Sequence, residues 1–227
     1  MNNYDVETAE YLSHGIKLFV SQMFGPDEPS HMEAYVKLFQ PHGMIIDMGS
    51  GIGETGAWIK HFNPSSRTIS VTNSKVQASY MRDLGREHVL ADFHETGIPD
   101  EIADCVMFNE SFGYGNPERL MEEVSRILKV NGFVFIMDFT PTRNIGDSLE
   151  LTGWDFSLYP ASRIIGSAEK ANLKLVWAFN KDASNERCLR FFNESRMKDW
   201  HGQVLFPTVS TCFKFVKLEN SQSEITQ

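Results

Sequence analysis

The chain has 227 residues, 41% hydrophobic and 22% charged, a globular balance able to bury one substantial core. Its net charge of -9 speaks against a nucleic-acid surface, and no stretch reaches the ~18 apolar residues of a membrane span, so neither nucleic-acid binding nor membrane insertion is expected. Cys105, Cys188 and Cys212 are too few and too far apart for a disulfide framework, and the 7 His residues are scattered, so no metal site is expected.

The N-terminus, MNNYDVETAEYLSHG, is polar and acidic and lacks a targeting pattern, which places the protein in the cytoplasm by expectation. Residues 1–43 read as a helical cover. Its clearest part is the capping box Ser30-His31-Met32-Glu33, followed by Tyr35, Val36, Leu38 and Phe39 at helical spacing and ended by Pro41 and Gly43. The run MIIDMG from Met44 then reads as a buried parallel strand turning into glycines. Further strands are predicted at Thr68 to Thr72, His88 to Ala91, Asp104 to Asn109 and Phe133 to Phe139, an α/β alternation. Asn116-Pro117 starts a helix whose stripe, Leu120, Met121, Val124, Ile127 and Leu128, runs toward Gly132. Leu173 to Phe179 and Thr211 to Leu218 are expected to close the sheet as an antiparallel pair, with a frayed tail at 220–227. Between them, Arg187, Arg190, Phe191, Phe192, Arg196 and Trp200 read as a solvated helix or a lid over an anionic, apolar ligand.

The chemistry gathers at the carboxyl ends of these strands. In Asp47-Met48-Gly49-Ser50-Gly51-Ile52-Gly53, glycines permit positive φ and let backbone N-H groups approach a ligand at a helix N-terminus, while Asp47 can face a cation. The segment Gly51 to Gly56 is also a formal G-x-G-x-x-G, which keeps an NAD-dependent oxidoreductase open as a rival reading. Against that rival, the second strand ends in Thr72, Asn73 and Ser74 rather than an acidic ribose ligand, and Glu54 brings negative charge into the loop.

DMGSGIGETG resembles the first motif of class I S-adenosylmethionine-dependent methyltransferases. Val71-Thr72-Asn73-Ser74-Lys75-Val76-Gln77 is similar to the T-x-S-x-x-Q pattern of their cyclopropane fatty acid synthase-like, sterol and isoprenoid C-methyltransferase branch. Phe108-Asn109-Glu110-Ser111-Phe112-Gly113-Tyr114 looks like the N-N-E-S element of geranyl diphosphate C-methyltransferases. The resemblance covers about residues 44–139 and implies a Rossmann-like, seven-stranded, mostly parallel α/β sheet with helices on both faces and a small N-terminal helical cover. It implies one methyltransferase domain, with the core at 44–219, and S-adenosyl-L-methionine as cofactor. Asp47, Gly49, Ser50, Gly51, Gly53 and Asn109 would hold that cofactor, with Thr72, Asn73 and Gln77 toward its ribose and methionine parts and Asp92 and Phe93 at its adenine.

The same resemblance makes Glu110 the catalytic candidate, beside an acceptor double bond, where a carboxylate stabilises a carbocation or takes its proton. Phe112 and Tyr114 would wall the acceptor, and Tyr11, Ser13 and His14 of the N-terminal helix would close over the cofactor, Tyr11 and His14 on the acceptor side. The expected activity is methyl transfer to a small-molecule acceptor, an isoprenoid or lipid-like carbon, with oxygen or nitrogen acceptors and a non-catalytic cofactor-binding protein as alternatives. The oligomeric state, including a homo-oligomer, stays open.

Overall fold

The computed structural model describes residues 3–13, 15, 17, 28–151, 155–181 and 208–219. In chain order its elements are α1 (Asn3–Ser13), α2 (Glu28–Phe39), β1 (Met44–Met48), α3 (Glu54–Phe62), β2 (Arg67–Thr72), α4 (Lys75–Asp83) and β3 (His88–Leu90). They continue with β4 (Ala103–Asn109), a 3-10 turn (Phe112–Tyr114), α5 (Pro117–Ile127), β5 (Leu128–Pro141), β6 (Leu149–Leu151) and β7 (Phe156–Leu158). The last are α6 (Ala161–Lys170), β8 (Leu173–Lys181) and β9 (Thr208–Lys217).

The main sheet has seven strands in the order β3-β2-β1-β4-β5-β9-β8. Pairings from β3 through β5 are parallel, and β9 runs antiparallel to both β5 and β8. The strand order therefore reverses between β1 and β4, the place where open α/β sheets bind ligands at their carboxyl ends. Each central strand alternates its side chains between two cores. Ile46, Met48, Val106, Phe108, Val134 and Ile136 pack with Leu120, Met121 and Val124 of α5 and Ile164 of α6. Ile45, Cys105, Met107, Phe135 and Met137 pack on the other face with Met32, Tyr35 and Phe39 of α2 and Ile59 of α3. Helices cover both faces as expected.

Three boundaries differ from the sequence reading. Helix α2 begins at Glu28, so Ser30 lies in its first turn rather than capping it, and Pro29 is tolerated where an N-H would be unpaired anyway. Asn116 does cap α5, its side chain accepting from Arg119 N-H at 3.0 Å, but α5 stops at Ile127. Leu128 instead begins β5, pairing with Ala103, because the sheet edge satisfies backbone groups that another helical turn would not. The β6–β7 hairpin and α6 have no counterpart in the sequence reading. Of the helix or lid expected at 181–207 only Lys181, the last residue of β8, is described, and the tail at 220–227 lies outside the described residues.

Helix α2 is seated by aromatic stacking: the Phe39 ring centroid lies 4.1 Å from that of Phe135, the rings nearly parallel, and 5.8 Å from that of Trp177. Because Phe39 is fully buried, Phe39→Ala is expected to destabilise the protein by ~3–5 kcal/mol, with a smaller loss for Phe39→Leu. Urea unfolding midpoints measure it, and an unchanged midpoint in the alanine variant would contradict this account of how α2 is held.

Candidate functional site

Between β1 and α3 the chain passes through left-handed backbone at Gly49 (φ 71), Gly51 (φ 56) and Gly53 (φ 76), which side chains with a Cβ rarely adopt. The N-H groups of Gly49 and Ser50 both donate to Val71 O at 3.0 Å, and the Ser50 hydroxyl donates to the same carbonyl at 3.3 Å, so the loop is pinned to β2. A Cβ on Gly49 would stand 2.6 Å from Ser111 Cβ, which shows how closely the loop approaches the end of β4. Gly53 precedes α3 without a side-chain cap among the described residues, so the first turn of α3 keeps free backbone donors. Arg86 clamps the loop from outside, donating to Ile52 O and to Glu54 Oε2 at 2.7 Å each. Glu54 is thus neutralised by an ion pair, and its charge no longer argues against a pyrophosphate.

Asp47 is 1% exposed, and its Oδ2 has no hydrogen-bond partner among the described residues. Burial pushes its carboxyl up to about 7. Asn109 is 8% exposed; its Nδ2 donates to Thr55 Oγ1 at 3.2 Å, while its Oδ1 has no partner among the described residues. Register and alternation put Asp47 and Asn109 on the same face of the sheet, because Asp47 pairs with Met107, two residues before Asn109. Two buried acceptors left unsatisfied on one face cost ~1–3 kcal/mol each, and a ligand with several donors, an ammonium group above all, relieves both.

At the end of β4, Glu110 sits at φ 54, a left-handed conformation for a residue with a Cβ, and its N-H donates to Met137 O at 2.7 Å. Such strain is stored at working sites and holds only where neighbours over-determine it. Here they do. The Ser111 hydroxyl donates to Met48 O at 2.5 Å, tying the end of β4 to the end of β1. The 3-10 turn that follows is held by buried Asp138, which accepts from Gly113 N-H at 3.0 Å and from Phe139 N-H at 2.7 Å. Burial pushes the Asp138 carboxyl up to about 6 against these backbone bonds. Phe112, expected to wall an acceptor, is a core residue instead, 1% exposed and edge-on to Phe108 and Tyr159. Tyr114 is half-buried, and its ring meets Tyr4 of α1 edge-on at 5.3 Å and the buried Phe156 of β7 at 4.8 Å.

The ends of β2 and β3 complete the site. The Thr72 hydroxyl donates to Gln77 Oε1 at 2.5 Å and accepts from Ser74 N-H, and Gln77 Nε2 donates to Thr8 Oγ1 at 2.9 Å. Ser74 is the N-cap of α4, and it donates in turn to Asp5 Oδ1 at 2.6 Å. Thr72 and Gln77 therefore meet each other and the N-terminal helix; Asn73 beside them is exposed. Asp92 accepts from the backbone N-H of His94 at 2.8 Å and meets its ring Nδ1 at 2.6 Å, and Phe93 packs edge-on against Phe108. Burial raises the Asp92 carboxyl, but the His94 bonds outweigh it and hold it below the usual range. Tyr11 belongs to α1, but its side chain and the whole of His14 lie outside the described residues.

The sequence reading missed Asp5, Thr8, Thr55, Arg86, His94, Asp138 and Phe156. Asp138 had a signal, a carboxylate inside the apolar run FVFIMDF. The others become site residues only through contacts with chain far away in sequence.

Residues 46–136 match the family described as the methyltransferase domain. The seven-stranded topology, with its single antiparallel strand, is the class I methyltransferase fold. Over 134 residues the chain is 28% identical to the ubiquinone/menaquinone biosynthesis C-methyltransferase UbiE of Geotalea daltonii, covering 53% of this chain and 56% of that protein. The chain thus spans little more than half the length of this curated relative. Among solved structures, the [4+2]-cyclase SpnF aligns with a TM-score of 0.77 at 15% identity, over 96% of this chain and 95% of its own. Geranyl diphosphate C-methyltransferase from Streptomyces coelicolor A3(2) aligns with a TM-score of 0.70 at 14% identity, over 96% and 98%. At these identities the likeness establishes the fold alone, and a cyclase beside a methyltransferase shows that one fold carries several reactions.

The unpaired Asp47 carboxylate has a measurable consequence. Its raised value means that the ligand-free fold holds a proton which the unfolded chain releases near pH 4, so its contribution to stability falls as pH rises from about 4 to 7. Asp47→Asn is therefore expected to match the wild type near pH 4 and to exceed it at pH 8 by as much as ~4 kcal/mol. Urea unfolding at the two pH values tests this; a variant no more stable at pH 8 would mean that Asp47 is not an uncompensated buried charge.

Proposed function

We propose that the chain is an S-adenosylmethionine-dependent methyltransferase acting on a small molecule in the cytoplasm, with a carbon atom of an isoprenoid or lipid-like acceptor as the favoured target. The observation that carries the reading is the buried Asp47 carboxylate with an open oxygen, set between three left-handed glycines and the open acceptor of Asn109. Those groups fit a ligand that bears an ammonium and a carboxylate side by side: Asp47 and Asn109 accept from the cation, and the uncapped first turn of α3 donates to the anion. Once bound, the cofactor supplies an already activated methyl on its sulfonium, so positioning does much of the catalytic work.

Around it the chain's own residues divide the labour. Asp92 and Phe93 are assigned to the adenine side, and Thr72, Asn73 and Gln77 to the ribose side, where α1 closes the β2 end through Thr8 and Asp5. Glu110, held rigid by the Met137 and Ser111 anchors, faces the acceptor. Methylation of an alkene carbon leaves a positive charge on the acceptor. The Glu110 carboxylate lowers that charge's energy and takes the proton whose loss restores the double bond. Tyr114, between Tyr4 and Phe156, adds an aromatic wall of the kind that suits an apolar or cationic group.

Thermal unfolding with added ligand tests the cofactor. S-adenosylhomocysteine at a hundredfold excess over its Kd is expected to raise Tm by ~5–10 °C, and NADH to leave it unchanged. Stabilisation by NADH alone would overturn the reading. For the reaction, transfer of labelled methyl to isoprenoid alkenes, quinols, alcohols and amines is measured. Glu110→Gln is expected to keep S-adenosylhomocysteine binding and lose turnover ~100- to 10,000-fold, and an unchanged turnover removes Glu110 from the catalytic centre. Cofactor binding without methyl transfer to any acceptor would leave a non-catalytic binding protein.

A further inference from the structure

His94 makes contacts on both sides of its ring that fix its chemical state. Asn116 N-H donates to His94 Nε2 at 2.9 Å, and a backbone N-H can only donate. Nε2 must therefore carry the lone pair, which puts the ring proton on Nδ1, directed at Asp92 Oδ1 at 2.6 Å. The backbone N-H of His94 reaches the same oxygen at 2.8 Å. Both bonds land on Oδ1, so Oδ2 keeps its acceptor capacity. The His94 side chain is 12% exposed and the Asp92 side chain 65%, so the ring is the buried brace and the carboxylate the exposed tip.

The brace is packed from behind. A Cβ on Gly115 would lie 2.8 Å from both His94 Nε2 and Phe93 Cε2, so only glycine lets these rings sit where they do. The strand end bearing Asp92 is thereby joined to Asn116, the N-cap of α5, and through Gly115 to the turn that follows Glu110.

We infer that His94 is the positioning residue for cofactor base recognition: it orients the Asp92 carboxylate as a one-sided acceptor that selects a purine with a 6-amino group over one with a 6-oxo group. This inference rests on the proposed cofactor. A free carboxylate on an exposed loop samples several rotamers and presents either oxygen, whereas one locked at Oδ1 by two donors presents Oδ2 in one direction. A 6-amino group donates to it, and a 6-oxo group sets one acceptor against another.

The experiment measures Kd for S-adenosylhomocysteine and for S-inosylhomocysteine by calorimetry, and the informative quantity is their ratio. Wild type is expected to favour the adenosyl compound ~10- to 100-fold, the worth of one hydrogen bond to a charged group. Asp92→Asn is expected to abolish or reverse the preference, because the two His94 donors hold the amide oxygen and leave the Nδ2 donor toward the base. His94→Phe, which fills the space without the ring's two hydrogen bonds but keeps the backbone N-H on Asp92, is expected to lower the ratio several-fold and leave a residual preference, because either carboxylate oxygen still only accepts. His94→Gln, with an amide NH2 donor and a carbonyl acceptor, is expected to recover part of the loss. A purely structural role for His94 would weaken both ligands together and leave the ratio intact, and that result overturns the inference while the cofactor assignment stands. If wild type binds the adenosyl compound without preference, the inference fails at Asp92. If wild type binds neither compound, the proposed function falls and the inference with it.

Discussion

The parallel pairing of β1 with β4, Asp47 opposite Met107 and Met48 opposite Phe108, is the contact from which the site is built. Strand order reverses there, so the loops leaving the two strands diverge and open a crevice at their carboxyl ends. Both strands are buried on both faces, and a slip of one residue would turn Asp47 into one core and Met48 into the other. Register is therefore strictly specified, and with it the position of the Asp47 carboxylate. The Ser111 bond to Met48 O then closes the far end of the pair and draws the glycine loop and the β4 turn together.

Around that pairing, local stability is given up in several places. Asp47 and Asn109 keep open acceptors in the interior, and Glu110 holds a left-handed backbone. Gly113 admits Phe156 where a Cβ would stand 2.4 Å from its ring. The open acceptors cost free energy that a ligand with several donors would return, and the Glu110 backbone is strain held by its neighbours. Away from the site, Glu123 accepts from Thr96 and Arg126, which fixes the loop after β3 to α5, and the buried hydroxyls of Ser66 and Ser210, which also lack a hydrogen-bond partner among the described residues, carry no charge.

Much of this was legible in the sequence, for particular reasons. The strands β1, β4 and β5 read as apolar runs because they are buried on both faces. Helix α5 showed its start because Asn116 and Pro117 are chemically suited to a helix N-terminus. Its end was misread because Leu128 continues the helical stripe while its backbone pairs with Ala103, a competition that only the neighbouring strand decides. The β6–β7 hairpin has strands of three residues each, too short for any periodicity to register. Phe112 read as a site residue because it sits in a telling motif, yet the 3-10 turn after β4 lays it against the α5 side of the sheet, in the core.

By itself the sequence determined the strand, glycine loop and helix at Met44–Phe62, the acidic and amide groups at the strand ends, and hence the kind of ligand they suit. These are local properties, set by residue type and spacing along one segment. Only the tertiary structure decided which of those groups are left unsatisfied, that Thr72 and Gln77 turn toward Thr8, and that His94 stands between Asp92 and Asn116. Burial, tautomer and strain arise from contacts between residues far apart in the chain, and a spacing pattern along the sequence does not contain them.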